Sequence, residues 1–152
     1  MKHEFISKNV NETIAFAKVV AEHVFKNSVI ALSGDLGAGK TTFTQGLASA
    51  LNIDERVISP TFNILKCYLS GDIPLYHIDA YRLEGETADI GLLEFIDGDG
   101  VAVIEWPKFI SDLLPENYLE IKFEHLSLNE RKITIMGKGD YEAIVKSVKE
   151  LF

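Results

Sequence analysis

Gly34-Asp35-Leu36-Gly37-Ala38-Gly39-Lys40-Thr41 fits the pattern G-x-x-x-x-G-K-[ST]. That spacing suits one task above others, a backbone cradle for the phosphates of a nucleotide. Glycines at 34, 37 and 39 let the chain turn tightly and aim successive N–H groups inward. Lys40 would reach the β- and γ-phosphates, and Thr41 would place its hydroxyl on a magnesium ion, which keeps most of its water and takes few protein ligands. The competing meaning is a glycine-rich surface turn that ends in an exposed lysine.

Phosphoryl transfer also needs a metal on the terminal phosphates, a group that orients the attacking oxygen, and positive charge on the transition state. Two acids are placed to help. Glu105 directly follows the apolar run Val101 to Ile104, so it would emerge at the carboxyl edge of a sheet, near the metal held by Thr41. Asp79 ends the run Leu75 to Ile78 in the same manner. Either acid alone could equally cap the turn or helix that follows it. Thr61, in the Pro60-stiffened stretch Ser59-Pro60-Thr61, is a candidate sensor of the γ-phosphate, or else part of an ordinary strand entry. His77 reads as a packed or hydrogen-bonded strand histidine. Trp106 reads as packing after a buried strand, with stacking over the site as the alternative.

These residues need elements to position them. Ser28 to Ser33 is a short apolar run of strand type, and Thr42 to Leu51 shows helical spacing at Phe43, Leu47, Ala50 and Leu51. Strand, glycine loop and helix therefore follow in the required order, and the helix adds its positive N-terminal dipole to the same anion. Upstream, Glu4 to Ile6 predicts a short edge strand. A helix follows from Asn11, its predicted cap, with Ile14, Ala17, Ala21 and Val24 on one face. Residues 57–69 and 73–79 predict a hairpin turning at Ser70-Gly71-Asp72. Helical spacing runs from Leu83 to Ile96, and Val101 to Ile104 predicts a buried parallel strand. Tyr118 to Leu126 and Arg131 to Met136 predict a second hairpin. Asp140 is the predicted cap of a last helix carrying Tyr141, Ile144, Val145, Val148 and Leu151. The expected fold is a single α/β domain over residues 1–152, three-layered and like a P-loop NTPase, with a mixed central sheet, parallel near the loop and antiparallel at its flanks.

At 152 residues and 47% apolar content, the chain is long enough for one well-buried core. No stretch approaches the ~20 apolar residues of a membrane span, and the first ten residues lack the apolar centre of a secretion signal. A cytoplasmic protein is expected. The single cysteine, Cys67, offers neither an internal disulfide nor a metal cage, and its apolar neighbours predict burial. Net charge is −8, with 17 acids against 9 Lys and Arg in residues 1–119 and 6 of each beyond. Glu84, Glu86, Asp89, Glu94, Asp97 and Asp99 form an acidic run without a basic residue between them. Polyanions would be repelled there. The run is either a solvated face or a dock for a basic partner.

Four blocks together resemble the TsaE (YjeE) family of small P-loop ATPases that serve tRNA threonylcarbamoyladenosine synthesis: Gly34 to Thr42, Ser59-Pro60-Thr61-Phe62, His77-Ile78-Asp79-Ala80-Tyr81-Arg82-Leu83 and Val103-Ile104-Glu105-Trp106-Pro107. The loop alone is shared by many families, but the four blocks in this order are specific. The resemblance implies an ATPase working with TsaD-like and TsaB-like partners, which transfer a threonylcarbamoyl group to adenosine 37 of tRNAs reading codons that begin with A. It implies that tRNA is met only through those partners. Carried onto this chain, it makes Gly34 to Thr42 the ATP-binding loop with Lys40 on the phosphates. Thr41 and Glu105 become magnesium ligands, Asp79 an acid needed for hydrolysis and Thr61 part of a nucleotide-responsive segment. Trp106 would lie close to the site, and Ser7 to Asn11 near the adenine. Two other readings begin with the same loop. A small-molecule kinase usually clamps phosphates with several arginines, and this chain has three, Arg56, Arg82 and Arg131. A nucleotide-dependent binding switch would hydrolyse little. A GTPase would need a guanine reader, and Asp97 to Gly100 has none to accompany it.

Overall fold

The computed structural model describes residues 1–35, 37–58, 64–83 and 91–152, so Leu36, the segment 59–63 that contains Thr61, and the acids Glu84, Glu86 and Asp89 lie outside the described residues. In chain order the elements are β1 (Lys2–Ser7), α1 (Val10–Ala21), β2 (Val29–Ser33), α2 (Lys40–Ala50), β3 (Leu65–Tyr68), β4 (Leu75–Asp79), α3 (Leu92–Ile96), β5 (Val101–Glu105), β6 (Leu119–His125), β7 (Arg131–Met136) and α4 (Glu142–Leu151). Among the described residues three 3₁₀ segments, Ala80–Leu83, Pro107–Leu113 and Gly139–Tyr141, join them.

All seven strands form one sheet in the order β1-β7-β6-β2-β5-β4-β3. The four inner strands β6, β2, β5 and β4 are parallel. Among the described residues, antiparallel pairing appears only outside them, β7 against β6, β1 against β7 and β3 against β4. Both predicted hairpins are present, as is the mixed sheet. The parallel strands are the most apolar because both of their faces are covered. Ile30, Leu32, Leu75, Val101 and Val103 face a layer of α1, α2 and α4 through Phe16, Phe43, Leu47 and Val145. Val29, Ile78, Ala102 and Ile104 face a thinner layer built from α3 and the 3₁₀ segments through Leu83, Leu92, Ile96 and Ile110.

Local details depart from the expectations in instructive ways. The cap of α1 is Asn9, whose side chain accepts from Glu12 N at 2.9 Å, and not Asn11, which lies within the helix. The buried face of α1 accordingly centres on Phe16, Ala17 and Val20, with Ile14 only half-buried. Asp140 makes no capping bond to α4, since a 3₁₀ turn leads directly into that helix, and Leu151 at its far end is exposed. Cys67 is exposed: β3 is an edge strand, and alternation along it turns Tyr68 into the core and the thiol outward. Within 83–96 the described helical part is Leu83, the last residue of a 3₁₀ segment, and α3. Among the described residues no helix is long and apolar enough to cross a membrane.

Tyr141 shows how the C-terminal segment is tied to the centre of the sheet. The β6 ladder along β2 starts at Ile30. The preceding Val29 N–H instead donates to the buried Tyr141 hydroxyl at 2.9 Å. Tyr141→Phe should leave that donor unsatisfied and cost about 1–3 kcal/mol of stability, measured by urea unfolding; parent-like stability would contradict it.

Candidate functional site

Parity along the central strands sets the site. On β4 and β5 the positions that carry Leu75, Val101 and Val103 into the α2 layer also carry His77, Asp79 and Glu105, and Asp79 pairs in register with Glu105. The same face is thus apolar at the start of each strand and polar at its carboxyl end. Glu105 is the last residue of β5 and pairs on its other side with Leu32 of β2, one residue before the strand that leads into Gly34 ends.

The glycine loop runs from there to α2. Gly34 has φ +140°, and a Cβ on it would sit 2.5 Å from the Phe123 carbonyl oxygen of β6, so only glycine lets the loop leave β2 beside that strand. Gly39, at φ +115°, precedes α2 in a left-handed conformation and supplies no side-chain cap. The first N–H groups of α2 are left for another acceptor, which is the setting in which a helix N-terminus takes an anion. Ala38 is buried beneath the loop and Asp35 is exposed on it.

Lys40 is the charge at the centre. Its ammonium is almost fully buried; it donates to the Gly34 carbonyl at 2.7 Å, lies 3.8 Å from Glu105 Oε1 and sits 4.7 Å above the Trp106 ring. Glu105, equally buried, accepts at Oε2 from His77 Nε2 at 2.7 Å, and His77 is wholly inaccessible. Trp106 adopts φ 57° and ψ 53°, a left-handed conformation that costs a bulky residue of order 1–3 kcal/mol. Contacts hold it there: Tyr81 and Phe109 pack on its ring, and Lys108 lies over it at 5.6 Å.

A cavity of about 280 Å³ opens above these groups, lined on the loop side by Gly37, Gly39, Lys40, Thr41 and Thr42, and on the sheet side by Asp79, Glu105 and Trp106. Asp79 does two things here. It borders the cavity, and its Oδ1 accepts from Tyr81 N at 3.1 Å, an Asx-type turn that starts the following 3₁₀ segment. The far wall combines Asn9, Val10 and Thr13 at the start of α1 with Leu128, Asn129 and Arg131 at the β6–β7 turn. Asn9 and Val10 fall in the stretch Ser7 to Asn11 that the family resemblance pointed to. Leu128, Asn129 and Arg131 were missed, because in the sequence they are an ordinary hairpin turn 90 residues from the loop. Only the docking of β6 beside β2 brings them over it. Arg131 secures that turn by donating to the carbonyls of Ser127, Leu128 and Glu130, and its Nη2 reaches Gly37 O at 3.4 Å. Arg56 lies away from this cavity.

The donors suit a hard cation. Thr41 and Glu105 border the same space and offer oxygen alone, the ligand type magnesium prefers. Among the described residues no three His, Cys, Asp or Glu side chains gather into an all-protein metal cage. Such a cage is what zinc would require and what magnesium, which retains water, does without.

Comparison with known proteins adds independent information. The family profile described as "Threonylcarbamoyl adenosine biosynthesis protein TsaE" matches residues 7–133. The chain is 45% identical over 141 residues to the tRNA threonylcarbamoyladenosine biosynthesis protein TsaE of Bacillus subtilis (strain 168), covering 92% of this chain and 89% of that one. It is 40% identical over 132 residues to the protein of the same name from Treponema pallidum (strain Nichols), covering 86% of this chain and 97% of the relative. The crystal structure of Bacillus subtilis YdiB superposes with a TM-score of 0.84 at 37% identity, covering 99% of this chain and 96% of that one.

Gly34→Ala tests the loop. The added Cβ must displace the Phe123 backbone or the loop itself. For a phosphate-bearing ligand in this cradle the substitution should weaken binding at least about tenfold, the equivalent of about 1.4 kcal/mol, while the protein stays folded by circular dichroism. Unchanged affinity in calorimetry would contradict that geometry.

Proposed function

The chain belongs to the TsaE family, and from that membership and the geometry around Lys40 we propose that it binds Mg-ATP and hydrolyses it in support of threonylcarbamoylation of tRNA at adenosine 37. The observation that carries the reading is the buried Lys40 ammonium, held by a carbonyl, a carboxylate and a ring face at the uncapped start of α2. A desolvated cation beside free helix N–H groups is prepared for a phosphate chain that replaces the Gly34 carbonyl as its partner. The α2 N–H groups then hold the β-phosphate, and Lys40 spans towards the γ-phosphate. Thr41 and Glu105 hold magnesium, which when bound neutralises charge on the terminal phosphates. Asp79, at the rim beside Glu105, orients the attacking water. Trp106 covers the Lys40 side and limits water there. The base lies towards Asn9, Val10, Leu128 and Asn129, where apolar surface and amide groups meet.

TsaD-like and TsaB-like proteins are the partners this reading assigns, with tRNA engaged through them, since a net charge of −8 gives the chain little attraction for a polyanion. In the described part of the acidic run, Glu94 and Asp97 are exposed and available to a basic partner surface. Asp99 is engaged by the Tyr76 hydroxyl at 2.8 Å. That contact pushes the phenol pKa up to about 12, with burial adding to the effect.

Lys40→Ala should lower Mg-ATP affinity about 10- to 100-fold, as loss of a charge-assisted contact of about 1.5–3 kcal/mol requires. With partners and tRNA present, Glu105→Ala and Asp79→Asn should cut hydrolysis by about 100-fold, followed by phosphate release. Parent-like hydrolysis by both acid variants would remove these assignments. If the parent bound ATP but released no phosphate in the full mixture, the protein would be a nucleotide-dependent switch. Replacing Glu94 and Asp97 with Lys should reduce capture of the TsaD-like or TsaB-like partner, and undiminished capture would remove the acidic face from the interface.

A further inference from the structure

His77 has no part in the scheme above, yet it makes one of the shortest contacts at the site. It sits in the middle of β4, wholly buried, and its Nε2 lies 2.7 Å from Glu105 Oε2. Its Nδ1 has no hydrogen-bond partner among the described residues, so the imidazole has a single polar attachment, the carboxylate. A buried ring nitrogen left without a partner carries a cost. Histidine at this position therefore needs a compensating use.

The geometry around Glu105 supplies that use. A carboxylate 3.8 Å from a buried ammonium is drawn to close on it, ideally with both oxygens. Such closure would bind Lys40 and Glu105 to each other and take both from the phosphate site. The contact from Nε2 holds Oε2 back, so Glu105 turns only Oε1 towards Lys40. Both ends of the restraint are rigid, since His77 and Glu105 belong to adjacent parallel strands whose register pairs Asp79 with Glu105. Outer partners of this kind orient a metal-binding group and commonly change metal affinity 10–100-fold when removed.

We propose that His77 is a positioning residue for magnesium: Nε2–H donates to Glu105 Oε2, keeps the carboxylate from closing on Lys40, and presents Oε1 to the cation that accompanies the nucleotide. The inference rests on Glu105 being a magnesium ligand, as proposed above. Glutamine extends its amide nitrogen to about where Nε2 lies, whereas asparagine reaches only to the place of Nδ1 and leucine keeps bulk without a donor. In full-length protein, the magnesium concentration that half-saturates ATP binding should rise about 10–100-fold in His77→Asn and His77→Leu. It should stay within about threefold of the parent in His77→Gln, and ATP binding in EDTA should be alike in all of them. Equal shifts in the Asn and Gln variants, or no shift in Asn and Leu, would overturn the proposal. Glu105→Ala separates the two levels. If it leaves the magnesium dependence unchanged, Glu105 is not a ligand and both readings fall; if it raises that dependence while His77→Asn does not, only the role of His77 falls. One measurement needs no variant: the Nε2-attached proton of His77 should be visible by NMR in the parent and should shift with Mg-ATP but not with ATP in EDTA. An identical response to both would also overturn the proposal.

Discussion

Burial of the Glu105 carboxylate is the constraint around which the rest of this structure is arranged. An anion removed from water without partners costs several kcal/mol, so the end of β5 is tenable only with Lys40 on one side and His77 on the other. Each partner depends on a different part of the fold. His77 requires the parallel register of β4 with β5. Lys40 requires the loop from β2 to return against the sheet, with Gly34 passing close to the Phe123 backbone. A slip of one residue along β4 or β5 would send His77 or Glu105 to the opposite face, among Ile78 and Ile104.

The sheet serves this cluster by dividing its labour. Parallel strands in the middle direct their carboxyl ends to one edge, where loop, acids and helix N-terminus meet, the usual ligand side of such sheets. Antiparallel strands at the flanks close the architecture with short connections and carry less of the chemistry. The β6–β7 hairpin is the exception: its turn reaches back over the loop, so one wall of the cavity comes from the C-terminal third of the chain. The α2 layer is thick and aromatic, with Phe16, Phe43 and Phe123 in mutual contact, and gives α2 a firm base. The opposite layer is thin, and its aromatic group of exposed Tyr81 and half-buried Trp106 and Phe109 reaches the site through Trp106.

Much of this was legible in the chain. The loop, both hairpins, the buried strand before Glu105 and the mixed sheet follow from glycine spacing and from runs of apolar residues, both local properties. The errors were local as well. Asn9 and Asn11 are equally good caps by type, and only the path from β1 decides that Asn9 takes the position. Cys67 looked buried because apolar neighbours say nothing of which side of an edge strand a residue occupies. Val57 to Leu69 read as one long strand, and within the described residues only Leu65–Tyr68 pairs.

Local pattern by itself determined what kinds of group this protein holds: a glycine loop before a helix, a lysine and threonine at that helix's first turn, and acids at two strand ends. Such patterns act over a few residues, where spacing dictates backbone conformation directly. Only the tertiary structure decided which groups meet. Lys40, His77 and Glu105 converge through strand order and register, and Leu128, Asn129 and Arg131 join the cavity because β6 lies against β2. His77, the hydrogen-bond partner of the buried Glu105 carboxylate, lies 28 residues away along the chain, and no periodicity within either strand specifies that they pair.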